Sequence, residues 1–440
     1  LVRDFWNTIN NPQKISLNIL TDKMVSVKAV EDKQIVVIEV PRAEREMRPV
    51  YVGNNPIKGT YRRNHEGDFH CTREQVSAFF RDASPVSVDT KVLTEMDYSI
   101  FCTDTIKDYR MRFNAKHDDH FWSKLEDELF LRRIGAMGLS PEDNKIHPTI
   151  AGLLMFGYEY EIVREFSGYF LDYQERLDPT MRWTHRVTSS SGDWSGNLFD
   201  FYYRIINRLT SDLPVPFRLD GMTRVDDTKL HEAVREALLN TLVHADYYGR
   251  QGTVVIKGLD RMYFANPGDM RVSLKTALEG GVSDPRNTTL MKMFGLIGVG
   301  ERAGSGVPSI VSVWSDATGV VPTYKQSFAP ERVEFIIKMS SPSDTSADNL
   351  PVANTIETTE KTVEKSSQKS SQKSSQKSSQ KSSQKILELI AVNTTISTQE
   401  MADSIGISRR AIAKIIAKLQ TEGILRRIGP DKGGHWEIVE

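Results

Sequence analysis

Five perfect copies of Lys-Ser-Ser-Gln run from Lys365 to Gln384, and no other feature of this 440-residue chain limits its folding so sharply. A run of serine, glutamine and lysine has no apolar surface to bury, so nothing offsets the entropy lost on ordering its backbone. The repeats and their flanks, residues 341–385, are therefore expected to be a disordered linker. A long folded part must precede it and a short one, residues 386–440, must follow. The composition of the whole chain, 39% hydrophobic and 26% charged, suits a water-soluble protein. A net charge of −1 gives no bulk electrostatic case for nucleic acid. Cys71 and Cys102 stand far apart, which excludes a disulfide framework and a cysteine-rich zinc site and fits a reducing cytoplasm. The longest apolar run, Ile150–Phe156, is too short to span a bilayer. The expectation is a cytoplasmic protein without a membrane segment. The opening Leu-Val-Arg, without Met, reads as an N-terminal truncation.

Before the linker the chain reads as α+β and multidomain. In residues 1–84, Ile35–Val40 (IVVIEV) reads as a buried strand closed by Pro41. Val50–Val52 and Thr60–Arg63 are shorter strand candidates, and a Thr72/Gln75 capping box opens a helix to Asp82. Residues 85–145 read as a helical connector whose best helix is Phe121–Ile134. Residues 146–340 then form a third part. It is expected to hold an apolar helix at Pro148–Gly157, a strand at Phe166–Leu171, a polar loop at Trp183–Ser195 and an amphipathic helix at Gly196–Leu209. Strands follow at Thr253–Lys257, Arg261–Phe264 and Arg332–Met339, with helices at Thr288–Phe294 and Val307–Trp314.

Lys229–Tyr247 (KLHEAVREALLNTLVHADY) is the informative stretch of that third part. Leu230, Val234, Leu238, Thr241, Leu242 and Ala245 recur at helical spacing, and Leu239 and Val243 widen the apolar surface. A helix this apolar is buried. Glu236, Asn240 and His244 nevertheless share one flank, at i, i+4 and i+8. Burying such groups unpaired costs on the order of 2–7 kcal/mol each, and more for a charge. Either a ligand, metal ion or solvated pocket faces that flank, or a closed polar network does. Two features favour the ligand. Asn266-Pro267-Gly268 ends a strand, a usual place for a binding loop. Gly304 and Gly306 directly precede a helix, where free amides and the dipole attract phosphate.

The ordered motifs REALLNTLVHADY (Arg235–Tyr247), NPG (Asn266–Gly268), SDPRN (Ser283–Asn287) and GSGVPSI (Gly304–Ile310) resemble the GHKL ATPases. Among these they resemble the bacterial ATP-binding proteins called RecG-like, or transcriptional regulators. The resemblance implies an α/β sandwich over residues 146–340 that binds ATP and Mg²⁺. Glu236 would position or activate water, and Asn240 would hold Mg²⁺. The nucleotide-binding set would be Asn240, His244, Asn266, Gly268, Asn287, Gly304 and Gly306, beneath a mobile lid spanning about Met270–Ala303. Where that superfamily reads adenine with an Asp, this chain has Asn266, which accepts a hydrogen bond but carries no charge. No G-x-x-x-x-G-K-[ST] loop is present, so the sequence gives a helicase no support. VVIEVP (Val36–Pro41), RPVYV (Arg48–Val52) and GTYRRN (Gly59–Asn64) resemble the second half of a Schlafen/AlbA-type domain. The half carrying that family's acidic nuclease residues is not in this chain.

Residues 386–440 resemble a winged helix-turn-helix. Ser397–Glu400 is a capping box, Gly406 marks the turn, and Ser408 caps a helix whose Ile412, Ile415, Ile416 and Leu419 point inward. Arg409, Arg410, Lys414 and Lys418 on that helix, with Lys432 in the wing, are the DNA-binding candidates. Three functions follow from these parts. One is a regulator, expected as a homodimer, in which ATP controls a tethered DNA-binding wing. The second is a Mg²⁺-dependent ATPase in nucleic-acid processing or defence. The third is a scaffold with a vestigial pocket. His117-Asp118-Asp119-His120 reads as a charged helix entry, since neighbours on a helix do not converge on a metal.

Overall fold

Alternation of apolar and polar residues sets the central sheet. In Leu171–Arg176 the odd positions Leu171 and Tyr173 are buried in the main core. The even positions form a polar ladder on the other face: Gln174 donates to Asp172 (2.6 Å), Arg176 to Gln174 (2.7 Å) and Arg186 to Asp172 (2.8 Å). A sheet with one face apolar needs cover on that face only. The structure, a computed structural model, describes residues 1–31, 33–64, 67–214, 219–220, 223–224, 228–300, 306–328 and 330–339, and in the C-terminal part residues 386, 389–390, 394, 396, 398, 400–401, 412, 416, 425–428 and 435–438. The chain divides into two units, Leu1–Thr358 and Thr359–Glu440.

The largest sheet among the described residues has six strands, in the order Thr323–Phe328, Glu331–Lys338, Arg261–Pro267, Thr253–Gly258, Leu171–Arg176, His185–Thr188. Neighbours are antiparallel except Thr253–Gly258 and Leu171–Arg176, which run parallel with Thr253 opposite Leu171. Parallel neighbours need a crossover. Here it contains the helices Leu198–Thr210 and Lys229–Val243. These two pack on each other, and Lys229–Val243 also packs against Gly306–Thr318 and the Arg261–Pro267 strand. One hydrophobic cluster joins Leu171, Tyr173, Val255, Phe264, Phe335 and Ile337 of the sheet to these helices. This is a mixed α/β architecture, as expected at the level of class.

Several local expectations are corrected. The strand expected at Phe166–Leu171 begins only at Leu171, and Phe166 packs edge-on to Tyr248 at 4.7 Å. The loop expected at Trp183–Ser195 contains the strand His185–Thr188. Phe121–Ile134 is broken, with a single 3-10 turn at Phe121–Lys124 and an α-helix only from Asp127 to Ile134. His120 Nδ1 accepts from the Trp122 amide at that entry. Ile35–Val40 is a strand over Lys33–Ile38, paired with Val25–Val30, but it is not buried: Ile35 is 44% and Ile38 38% exposed. Its apolar side chains answer each other across a two-stranded hairpin, which buries neither face fully. Residues 85–145, expected as a connector, supply Ile106, Tyr109, Phe113, Phe130 and Ile134 to the main core. The helix Thr103–Lys116 carries three of them.

In the C-terminal unit, Ile386, Ile390, Ile396, Met401, Ile412, Ile416, Leu425 and Trp436 form a separate core. The antiparallel strands Leu425–Ile428 and His435–Ile438 flank the expected wing, and the indole of Trp436 donates to the Ile396 carbonyl (3.1 Å). Arg409, Arg410, Lys414, Lys418 and Lys432 lie outside the described residues.

Candidate functional site

The Lys229–Val243 helix buries Ala233, Val234, Ala237, Leu238, Leu239, Leu242 and Val243, as its stripe requires. Its C-terminal carbonyls are satisfied by side chains rather than by a glycine cap. Tyr247 Oη donates to Leu242 (2.7 Å), and the Asn287 amide donates to Val243 (3.1 Å) and Ala245 (2.9 Å). Arg286 Nη1 donates to His244. The far end of the helix is thus fixed, and Glu236 and Asn240 are fixed with it.

On the polar flank, Asn240 Nδ2 donates to Glu236 Oε1 (3.2 Å). Gly306 closes on the same pair. A Cβ there would stand 2.2 Å from Glu236 Oε1 and 3.3 Å from Asn240 Nδ2. Gly300, at φ +77°, approaches the other oxygen, and its Cβ would stand 3.3 Å from Glu236 Oε2. A side chain at Gly306 would displace that carboxylate, whereas one at Gly300 would first meet Leu239 Cδ2, at 2.0 Å. Gly304 lies outside the described residues.

Glu236, Asn240, His244, Asn266 and Gly306 all line one cavity of about 970 Å³, counting its open mouth. Its apolar wall is Met270, Val272, Met291, Val307, Val333 and Phe335, and Thr241, Asp269, Arg271, Ser283, Asp284 and Tyr324 add polar groups. An apolar wall with a few convergent polar groups is the usual form of a small-molecule site. Two expected members are elsewhere. Gly268, at φ +101°, lies where a Cβ would meet Arg286 Nη1 at 2.7 Å, and Asn287 caps the helix as described. Burial, then Arg286 and Arg271, pushes His244 down to about 4, so it is neutral at pH 7. Burial and then Glu236 raise the Tyr324 phenol.

Residues 42–82 hold the cavity wall through ion pairs that local sequence gives no sign of. Arg62 bridges Asp269 (3.0 Å) and Glu331 (2.8 Å), and Arg42 donates to the Met270 carbonyl (2.8 Å). Arg45 pairs with Asp284 (2.8 Å), and Asp82 takes Arg286 in a two-pronged pair (2.9 and 2.8 Å). Burial alone would raise the Asp82 carboxyl, but Arg286, with Arg271 and Arg81, holds it below its ordinary value. Sequence reasoning missed Asp269 although it directly follows the NPG turn. It missed Tyr324 because Thr323–Phe328 was not recognised as a strand.

Comparison with known proteins bears on three stretches. Residues 77–172 match a family described as a domain of unknown function, DUF8451. Residues 255–335 match the family described as "Putative ATP-dependent DNA helicase recG C-terminal". Residues 380–426 match "Winged helix-turn-helix DNA-binding". The chain carries a RecG-C-terminal-like domain and a winged helix-turn-helix. The RecG-like match includes Asn266 and Gly306 and begins after Glu236 and Asn240. No curated protein matches. A solved structure, the DIP2311 protein from Corynebacterium diphtheriae, is similar at 17% identity and TM-score 0.44, over 94% of this chain and 75% of that one; a likeness this distant carries no argument here. Among the described residues, no helix is long and apolar enough to cross a membrane, and no group of three or more His, Cys, Asp or Glu could hold a metal ion.

Proposed function

We propose that the chain is a nucleotide-responsive DNA-binding regulator: a GHKL-type core binds ATP with Mg²⁺ and governs a winged helix tethered by residues 341–385. The observation that carries this reading is the meeting of Glu236, Asn240 and Gly306 at one mouth of a mostly apolar cavity. An apolar wall suits a heterocyclic base. The donor type fits the metal: Asn240 offers an amide oxygen, the kind of ligand that a hard divalent cation takes, and would hold Mg²⁺. The ion, when bound, would neutralise phosphate charge. Glu236 would accept a proton from water, as a carboxylate general base does. Neutral His244 would add a hydrogen-bonding group without charge. The Schlafen/AlbA reading of residues 1–84 and the cytoplasmic location belong to the same proposal and rest on the motifs and composition.

The test is thermal unfolding of the full chain with and without Mg²⁺·ATP, beside duplex-DNA binding under the same conditions. A nucleotide-dependent rise in melting temperature that Asn240→Ala removes is expected; no rise in the wild type overturns the reading. Removal of residues 359–440 should abolish DNA binding. The second reading, an ATPase, is favoured by the placing of a carboxylate beside the glycine turn. It predicts phosphate release that Glu236→Gln abolishes while binding persists. Light scattering with and without nucleotide checks the expected homodimer.

A further inference from the structure

The central sheet has a second face, and the register says what lies on it, because residues opposed across neighbouring strands share a face. Asp172, Gln174 and Arg176 point away from the main core, and the helices of that core pack on the opposite side. One row on the outer face therefore runs Lys325, Glu334, Ala265, Val254, Asp172. The next runs Ile336, Tyr263, Ile256, Gln174, Arg186. Beyond them Arg261 opposes Lys338 and Arg176 opposes Gly258, while Arg332 opposes Pro267 at the other end. The cations of this face are Arg176, Arg186, Arg261, Arg332, Lys325 and Lys338, and its carboxylates are Asp172, Glu334 and, at the turn, Asp260. Six against three is an excess of three positive charges on one surface of a chain whose net charge is −1.

The three carboxylates are already engaged. Asp172 takes Arg186 on both oxygens (2.8 and 3.0 Å), Asp260 pairs with Arg261 (2.8 Å), and Glu334 accepts from the Tyr263 hydroxyl (2.8 Å). The remaining cations meet neutral groups. Arg176 is held by the amide oxygen of Gln174 (2.7 Å), and Arg332 donates to the Gly252 carbonyl (2.8 Å). Arg176, Arg332, Lys325 and Lys338 are half-buried and have no ion pair among the described residues. Such stems lie along the sheet and keep their charged heads in water. At the rim, Arg182 and Arg186 lie over the Trp183 ring at 4.5 and 4.7 Å, and the exposed Arg182 has no ion pair among the described residues either. A broad face with unneutralised cations in rows complements a polyanion better than it does a small ligand.

We propose that the outer face of the six-stranded sheet is a second DNA contact, a surface for the phosphate backbone of the duplex that the winged helix engages. This rests on the DNA-binding part of the proposed function and is independent of the nucleotide pocket. The winged-helix match supplies the polyanion, and the linker, with a lysine in every repeat, joins the two contacts. About three or four phosphate contacts alone are too few to hold a duplex at moderate salt, so the face works only beside the winged helix. Tethered to a bound winged helix, it meets the same duplex at an effective concentration on the order of millimolar. Cations that are merely solvated would leave the salt dependence of binding untouched.

The experiment is fluorescence-anisotropy titration of a labelled mixed-sequence DNA duplex with the full chain over a series of salt concentrations. Each phosphate contact contributes about 0.9 to the slope of log affinity against log salt. The triple variant Arg176→Gln, Lys325→Gln, Lys338→Gln should bind about tenfold more weakly at physiological salt, with a slope shallower by about two to three. Arg176→Lys, Lys325→Arg, Lys338→Arg together should keep the wild-type slope. The variant Lys14→Gln, Lys58→Gln, Lys107→Gln removes the same charge from other surfaces and should keep it too. A slope unchanged in the first variant, or lowered equally in the last, overturns the sheet contact while the winged helix stands. A wild-type chain that binds no duplex overturns the DNA-binding reading, and this inference with it.

Discussion

Gly306 is where one atom decides most. Any side chain there meets Glu236 Oε1 at 2.2 Å, so Gly306→Ala must swing the carboxylate aside or shift the backbone. The expected outcome is a folded chain with its nucleotide-induced thermal shift lost; circular dichroism and a melting curve with Mg²⁺·ATP check both halves. His244 gives a pH signature. Its folded value is pushed down to about 4 from 6.5, so between those values the unfolded chain binds the extra proton. Stability contributed by neutral His244 is present above pH 6.5 and drains away as pH falls towards 4, by on the order of 1–3 kcal/mol. Urea titrations at pH 7 and pH 5 should show this loss, and His244→Gln should flatten it. Glu236, Asn240 and His244 are legible in the sequence because their i, i+4, i+8 spacing lies within one helix. Asn287 and Gly268 show the limit of such reading. A motif gives the order of residues, while the direction of an amide or a glycine's empty side depends on Val243, Ala245 and Arg286, which are remote in the chain.

At the scale of elements, the helix starting at the Thr72 capping box is tied to the sandwich by charge. Asp82, near its end, pairs with Arg286, 204 residues away, with the Arg286 side chain 8% exposed. Breaking a buried, hydrogen-bonded pair by removing one partner costs about 3–5 kcal/mol, so Asp82→Asn should lower unfolding stability on that order. Because the Asp82 carboxyl is held below its ordinary value, the contribution is present above that ordinary value and is lost as pH falls through the folded one. Denaturant melts of wild type and variant should show the full gap at pH 7 and close it only as pH falls below the ordinary value of 3.8. None of this is readable in the sequence, since arginines and aspartates on surface-like segments look solvated until their partners are known. The exposed Val25–Val30/Lys33–Ile38 hairpin teaches the reverse. Hydrophobic periodicity identifies a strand at IVVIEV but does not say what, if anything, covers it. The Thr103–Lys116 helix escapes recognition because its buried residues, Thr105, Ile106, Tyr109 and Phe113, are diluted by charge.

For the whole molecule, the composition of the lysine–serine–glutamine repeats leads one to expect a long folded part and a short one; the chain divides into the units Leu1–Thr358 and Thr359–Glu440. A chain ending at residue 358 should keep its nucleotide-induced shift and lose one unfolding transition, which differential scanning calorimetry resolves. The mixed α/β class is likewise legible, while the order of the strands is not. The parallel pairing of Leu171–Arg176 with Thr253–Gly258 is the missing piece, and it has a price in time. The His185–Thr188 strand and the Glu236 helix lie in the sequence between those two paired strands. Such long-range closures come late, since chain entropy is surrendered before any contact offsets it. Competence to bind should therefore lag behind helix formation during refolding, and ligand capture would serve as a clock for the last step of assembly.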